Sequence, residues 1–221
     1  MSVITTPQLR SLYSKAKRTD LPESYSTEFF TYILGIYFSD RAVWNIAPEV
    51  PPTDDPKERK RVDLAVKFFE NETYNTKILC FVEAKRASAA PGYLIEGEEQ
   101  MFTYCHRHCH WNKVPYVYIM MTKGAMARFL IYHRDEDQFR GMFEADDPTS
   151  GPNSDQFHDP DTDAGGSYWD AALRTMKTNP NAVPVNQAHE KQHYMGKTQL
   201  PKGIIRSKED PSCLVATVGK N

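Results

Sequence analysis

The sequence has no run of about 18 apolar residues, so no membrane-spanning helix is expected. Its opening stretch, MSVITTPQLRSLYSKAKR, lacks the apolar centre of a secretory signal, which argues against export by that route. An amphipathic targeting peptide would be poor in acids, and Asp20 and Glu23 come early. The four cysteines, Cys80, Cys105, Cys109 and Cys213, are irregularly spaced and do not read as a disulfide framework. A reducing compartment, cytoplasmic or nuclear, is the expectation. A Gly-x-x-x-x-Gly-Lys-Ser/Thr loop is absent, so the chain is not expected to drive work with a nucleoside triphosphate by itself. Internal repeats are absent, and no Ser/His/Asp or Cys/His nucleophile arrangement stands out.

What is present suits one globular domain with a sizeable core: 221 residues, 40% of them hydrophobic and 12% aromatic. The formal net charge of −2 hides an asymmetry. Residues 1–134 carry 18 Lys/Arg against 15 Asp/Glu, whereas residues 135–165 carry one Arg against ten acids. Residues 166–221 turn basic again, with eight Lys/Arg against four acids. The acidic stretch reads as a solvated linker or as an acidic flap competing for a basic groove.

Periodicity supplies the elements. Residues 24–38 place Phe29, Tyr32, Ile33, Ile36 and Tyr37 at helical spacing, with Ser24 or Ser26 as cap. RAVWNIAPEVPP predicts a short strand ended by prolines. RVDLAVKFFE alternates, with Val62, Leu64, Val66 and Phe68 facing one way and Asp63, Ala65 and Lys67 the other. NETYN is a turn, and TKILCFVEAKR a more apolar strand. LIEGEEQMFTYCHRHCHW predicts a helix, and VPYVYIMMT and MARFLIYHR two more strands. SYWDAALRTMKTN predicts a short helix. The sum is an α/β domain around a central mixed sheet flanked by helices. Residues 1–134 form the expected core, 135–166 an acidic loop or linker, and 167–221 a short helix with a polar, largely irregular tail.

The chemistry gathers on two strands. If the hairpin turns about Thr73, Asp63 lies opposite Glu83, and Lys85 shares the face of Glu83. Like charges directly opposed destabilise a strand pair unless a cation sits between them. Oxygen ligands without His or Cys suit Mg²⁺ or Mn²⁺. A lysine beside such an ion can orient or help deprotonate water, or neutralise charge building on a phosphate. The plain alternative is a structural salt bridge at a strand end. On the following helix, Gln100 and Tyr104 share a face at i, i+4, and Glu28 stands among Phe29, Phe30 and Tyr32 on the first helix.

In that order, Glu28, Asp63 in RVDLAV, Glu83-x-Lys85 in FVEAKR and Gln100-x-x-x-Tyr104 in EQMFTYC resemble the PD-(D/E)XK nuclease superfamily. The likeness is to its RecB-like and lambda-exonuclease-like branch, and it covers about residues 20–134. It implies a restriction-endonuclease-like αβββαβ core and a divalent-metal-dependent nuclease hydrolysing DNA or RNA. By that resemblance Asp63 and Glu83 bind Mg²⁺ or Mn²⁺, with the Ala84 carbonyl as a third ligand. Lys85 positions or activates water, Glu28 holds a water or helps a second ion, and Gln100 and Tyr104 brace the site or touch the substrate backbone. The pattern departs in having Val62 before Asp63, where the family favours Pro or Gly, and in lacking helicase motifs. The competing reading is a catalytically weak or inactive nuclease-fold protein acting as a nucleic-acid-binding or effector module; a third is an adaptor with no nucleic-acid role.

Lys57, Arg59, Lys60 and Arg61, with Arg86 and Arg107, are the candidate phosphate contacts, against the plainer reading of a solvated loop. Tyr93, Trp111 and Tyr116 could stack bases or sit in the core. CHRHCH invites a zinc reading through Cys105 and Cys109, or His106 and His110, but no second Cys/His pair stands at ligand spacing. Core cysteines with a basic outer helix face are the expectation there.

Overall fold

The computed structural model describes residues 1–70, 75–143 and 156–180. Thr6 accepts a hydrogen bond from Leu9 N, and Pro7 opens helix α1 (Pro7–Ala16), a cap followed by a residue with φ already set for a helix. Its apolar row, Leu9, Tyr13 and Ala16, is buried, an amphipathic pattern the strand-centred reading passed over. Helix α2 (Ser24–Tyr37) buries Phe29, Phe30, Ile33 and Leu34. Its expected serine cap is not formed. Ser26 lies inside the helix and donates through Oγ to the Lys85 carbonyl at 3.4 Å, which ties α2 to the end of a strand.

Strands β1 (Trp44–Val50), β2 (Val62–Phe69), β3 (Thr76–Glu83), β4 (Tyr116–Lys123), β5 (Met126–His133) and β6 (Gln138–Gly141) lie side by side in sequence order. Only β3 and β4 run parallel, joined across helix α3 (Pro91–Trp111) as a parallel pair requires; the other neighbours are antiparallel. The sheet is therefore mixed and the architecture α/β.

Each sheet face has its own core. Leu64, Val66, Val82, Tyr118, Met120 and Phe129 meet α1, α2 and helix α4 (Asp163–Thr178), with Trp169 stacked on Phe30. Ala65, Phe81, Ile119, Met121 and Leu130 meet α3 through Leu94, Met101, Cys105 and Cys109. These two cysteines are buried, as expected, and the histidines between and beyond them are divided: His108 is buried, His106 half-buried and His110 exposed.

Part of the acidic stretch is built into the fold. β6 lies within it, and His158 bridges to Ala127. Asp159 accepts from Tyr13 and Lys17, while Asp161 accepts from Ser2 and Arg10. These acids serve as anchors for the N-terminal segment. The expected tail beyond residue 180, like the tip of the NETYN turn, lies outside the described residues. No helix among the described residues is long and apolar enough to cross a membrane.

Candidate active site

The β2–β3 ladder pairs Leu64 with Val82, Ala65 with Phe81 and Val66 with Cys80. Carried one step on, that register sets Asp63 beside Glu83. Beyond Val66 it shifts: Lys67 pairs with Ile78, and Leu79 is skipped as a bulge. The bulge lies away from the charged end and leaves Asp63 and Glu83 on the sheet face covered by α3.

Glu83 ends β3 beside Met121 of the parallel strand β4, at the carboxyl end of the one parallel pair, where open α/β sheets commonly form clefts. Its side chain is nearly covered, and its Oε1 accepts from Lys85 Nζ at 2.7 Å. Burial first, and Asp63 second, push its carboxyl up to about 7, although Lys85 pulls the other way. Asp63 is raised as well, chiefly by burial. The Ala84 N–H, donating to its Oδ2 at 2.7 Å, favours the charged form. Burial works against the charge on Lys85, but Glu83, Glu23 and Asp63 together outweigh it, and the ammonium holds its proton more tightly than usual.

The backbone around Lys85 is fixed from three sides. Its N–H donates to Thr122 Oγ1 at 3.3 Å, and its carbonyl accepts from Ser26 Oγ and from Gly124 N at 2.8 Å. Gly124 opens the two-residue β4–β5 turn at φ +62, and a Cβ there would meet Ala87 at 2.8 Å and the Ala16 carbonyl at 2.9 Å. Gly97 of α3 is the other close approach: its missing Cβ would lie 2.8 Å from Lys85 Cε and 3.7 Å from Glu83 Cγ.

The remaining expected residues divide. Tyr104 is buried, and its hydroxyl is raised by burial and then by the negative fields of Glu83 and Asp63, so it lies within reach of the pair's charge. Gln100 is half-exposed and donates to Glu96 one turn earlier at 3.3 Å. Ala84 meets the site through its N–H, which donates to Asp63 Oδ2. Glu28 is exposed and lines a surface depression with Leu12, Thr31 and Tyr32. Lys57, Arg59, Lys60, Arg61 and Arg86 are exposed, whereas Arg107 is held by the Glu58 carboxylate at 2.7 Å.

The acid that α2 does bring is Glu23, at its N-cap. Burial raises its carboxyl; the nearby charge of Lys85 opposes this, and Asp63 adds to it. Glu49 is also close enough to raise Asp63 and stands in the left-handed region at φ 48, between the β1 residues paired with Leu64 and Val62. Sequence reasoning missed both. Glu23 had a readable signal, an acid directly before the first residue of a helix that must start near the strand ends.

Among the described residues no hydrogen bond reaches Asp63 Oδ1 or Glu83 Oε2. Two carboxylates crowded with one ammonium, each with a spare oxygen, fit a hard divalent cation. Family models, curated proteins and solved structures give no significant match to this chain.

Proposed function

We propose that the protein is a Mg²⁺- or Mn²⁺-dependent nuclease that hydrolyses phosphodiester bonds of DNA or RNA. One observation carries the reading: Asp63 and Glu83 converge beside Lys85, with burial holding both carboxyls above their ordinary range and the Asp63 charge raising Glu83 further. A structural salt bridge needs one acid per lysine, whereas here Glu23 and Asp63 add negative charge that Lys85 alone does not balance. The run α2, β1, β2, β3, α3, β4 has the αβββαβ order, which supports a restriction-endonuclease-like core.

In this reading Asp63 and Glu83 would hold the ion, with Glu23 within reach of the same charge. The ion supplies Lewis acidity toward the phosphoryl oxygen and lowers the pKa of water. Lys85, its backbone fixed by Thr122, Ser26 and Gly124, holds its ammonium where it orients the nucleophile and offsets charge growing on the phosphate. Tyr104 closes the α3 side. Lys57, Arg59, Lys60, Arg61 and Arg86 offer exposed positive charge for a phosphate backbone.

The test incubates plasmid, single-stranded DNA and RNA with the protein in Mg²⁺, Mn²⁺ or EDTA, beside Lys85→Ala and Asp63→Ala. Metal-dependent cleavage lost in both variants is the expected result. Salt-sensitive binding without cleavage in any metal would instead favour the binding-module reading, and no binding at low salt would sink both.

A further inference from the structure

A second cluster of ligating groups stands apart from the carboxylate pair, at the C-terminal half of α3. His106 and His110 are one turn apart on its outer face, their rings 4.3 Å apart. The β5–β6 turn brings Asp137 to them, with Oδ1 2.8 Å from His106 Nδ1. Ligand atoms of all three lie within 4.8 Å of one another. We propose that His106, His110 and Asp137 form a binding site for a borderline divalent transition-metal ion such as Zn²⁺, which clamps the β5–β6 turn to α3.

The donor set selects the ion. Two imidazoles and one carboxylate suit Zn²⁺, Co²⁺ or Ni²⁺, whereas Mg²⁺ prefers oxygen alone. Three protein ligands leave a fourth position for water, and the half-open setting supplies it. Ligand distances of about 2.0–2.2 Å need the three groups to draw together by ring and carboxylate rotation. The surroundings hold them ready for this. Tyr132, fully buried, aims its hydroxyl out of the core at Asp137 Oδ1, 2.6 Å away, and approaches His106 Nδ1 at 3.2 Å. Such an outer hydrogen bond to a ligating carboxylate fixes its orientation. Phe102 stacks beneath His106 and packs edge-on against Tyr132 and Phe139, which supplies an apolar floor. Asp137 itself sits in the left-handed region at φ 51, a conformation that points its side chain back over the helix and that Asp tolerates better than most residues.

A purely structural hydrogen bond explains His106 with Asp137, but it leaves out His110. That ring faces its neighbour at a distance where two protonated imidazoles would repel. A metal ion turns the same crowding into coordination.

The test titrates the EDTA-treated full chain with Zn²⁺ by calorimetry and with Co²⁺ by visible absorption. It uses an Asp63→Ala/Glu83→Ala background so that the proposed catalytic site contributes nothing. One ion is expected to bind, with tetrahedral-type Co²⁺ bands and a rise in Tm. His110→Ala and Asp137→Asn, the second keeping an acceptor for Tyr132, should each weaken binding by roughly tenfold or more. His189→Ala/His193→Ala removes the chain's other His pair at that spacing and should leave binding unchanged. Binding equal in wild type and His110→Ala, or lost only with His189 and His193, would overturn the proposal. Because the readout is ion binding and Tm, its failure leaves the nuclease reading standing.

Discussion

Glu83 and His108 are buried titratable groups whose shifts oppose one another. In metal-free protein Glu83 keeps its proton up to about pH 7, while an unfolded glutamate releases it near pH 4.3. The folded state binds the extra proton between those limits, so this stabilising contribution is full below about pH 4 and lost as pH rises through about 7, on the order of 3 kcal/mol in all. His108 donates through Nδ1 to the Pro52 carbonyl at 3.0 Å, and burial lowers it to about 4. Its contribution is full above about 6.5 and is lost as pH falls toward about 4, by a similar amount. The two slopes offset each other in the wild type. In EDTA, Glu83→Gln should therefore gain stability as pH rises from about 5 to about 7, and His108→Leu should lose it. Urea unfolding across that range checks both, and slopes unchanged from wild type would sink the account. Mg²⁺ or Mn²⁺ at pH 8 should raise Tm in the wild type but not in Asp63→Ala. At this scale the sequence was informative for Asp63, Glu83 and Lys85, because alternation and register are local properties of two strands. Glu28 lies apart from them: Phe29, Phe30 and Ile33 set the buried side of α2, and that rotation leaves Glu28 in solvent while the helix start carries Glu23 toward Lys85 and Asp63.

Helix α3 does at the element scale what no single residue does: its buried row passes Gly97, Met101, Tyr104, Cys105 and His108 over the site face of the sheet. A glycine inside a helix costs about 1 kcal/mol relative to alanine, so in sequence Gly97 reads as a weak point. In the folded chain it is where Lys85 passes. Gly97→Ala should leave the unfolding free energy within about 1 kcal/mol of wild type, since the gain in helix propensity offsets the displaced lysine tail. Cleavage should fall roughly tenfold or more, because Lys85 Cε must move from the contact at 2.8 Å and a misplaced catalytic group is costly. A loss of Tm with cleavage unchanged would mean that the lysine has no part in the reaction. The strands were legible from their apolar periods, and the bulge at Leu79 was not, since one skipped residue in TKILCFVE changes no pattern that a sequence shows. Helix α1 and strand β6 were missed for a different reason: each is short, and its identity depends on what it covers.

The whole molecule places the boundary of the fold beyond the region that carries the motifs. The α1–α2 face of the sheet is closed by α4, where Trp169, Ala172, Leu173 and Met176 are all buried. Trp169 stacks on Phe30 at 5.8 Å, meets Phe129 edge-on and donates through its indole N–H to the His158 carbonyl at 2.9 Å. The chain's start is fastened to the same layer: Val3 N donates to the Pro160 carbonyl at 3.0 Å, and Asp159 and Asp161 receive Tyr13, Lys17, Ser2 and Arg10. A chain ended at residue 134 would keep every residue of the proposed catalytic site and expose the apolar side of α2 and of the sheet's centre. It should not unfold cooperatively and should show no metal-dependent cleavage, while the full chain should do both. Trp169→Ala in the full chain separates packing from chemistry. It should cost about 3–5 kcal/mol, the range for removing a large buried aromatic, with cleavage per folded molecule unchanged because Trp169 lies on the opposite face from Asp63 and Glu83. Urea unfolding and cleavage measured on the same samples decide the matter, and a stable, cooperative 1–134 chain would show that α4 is an appendage and not the second wall of the core.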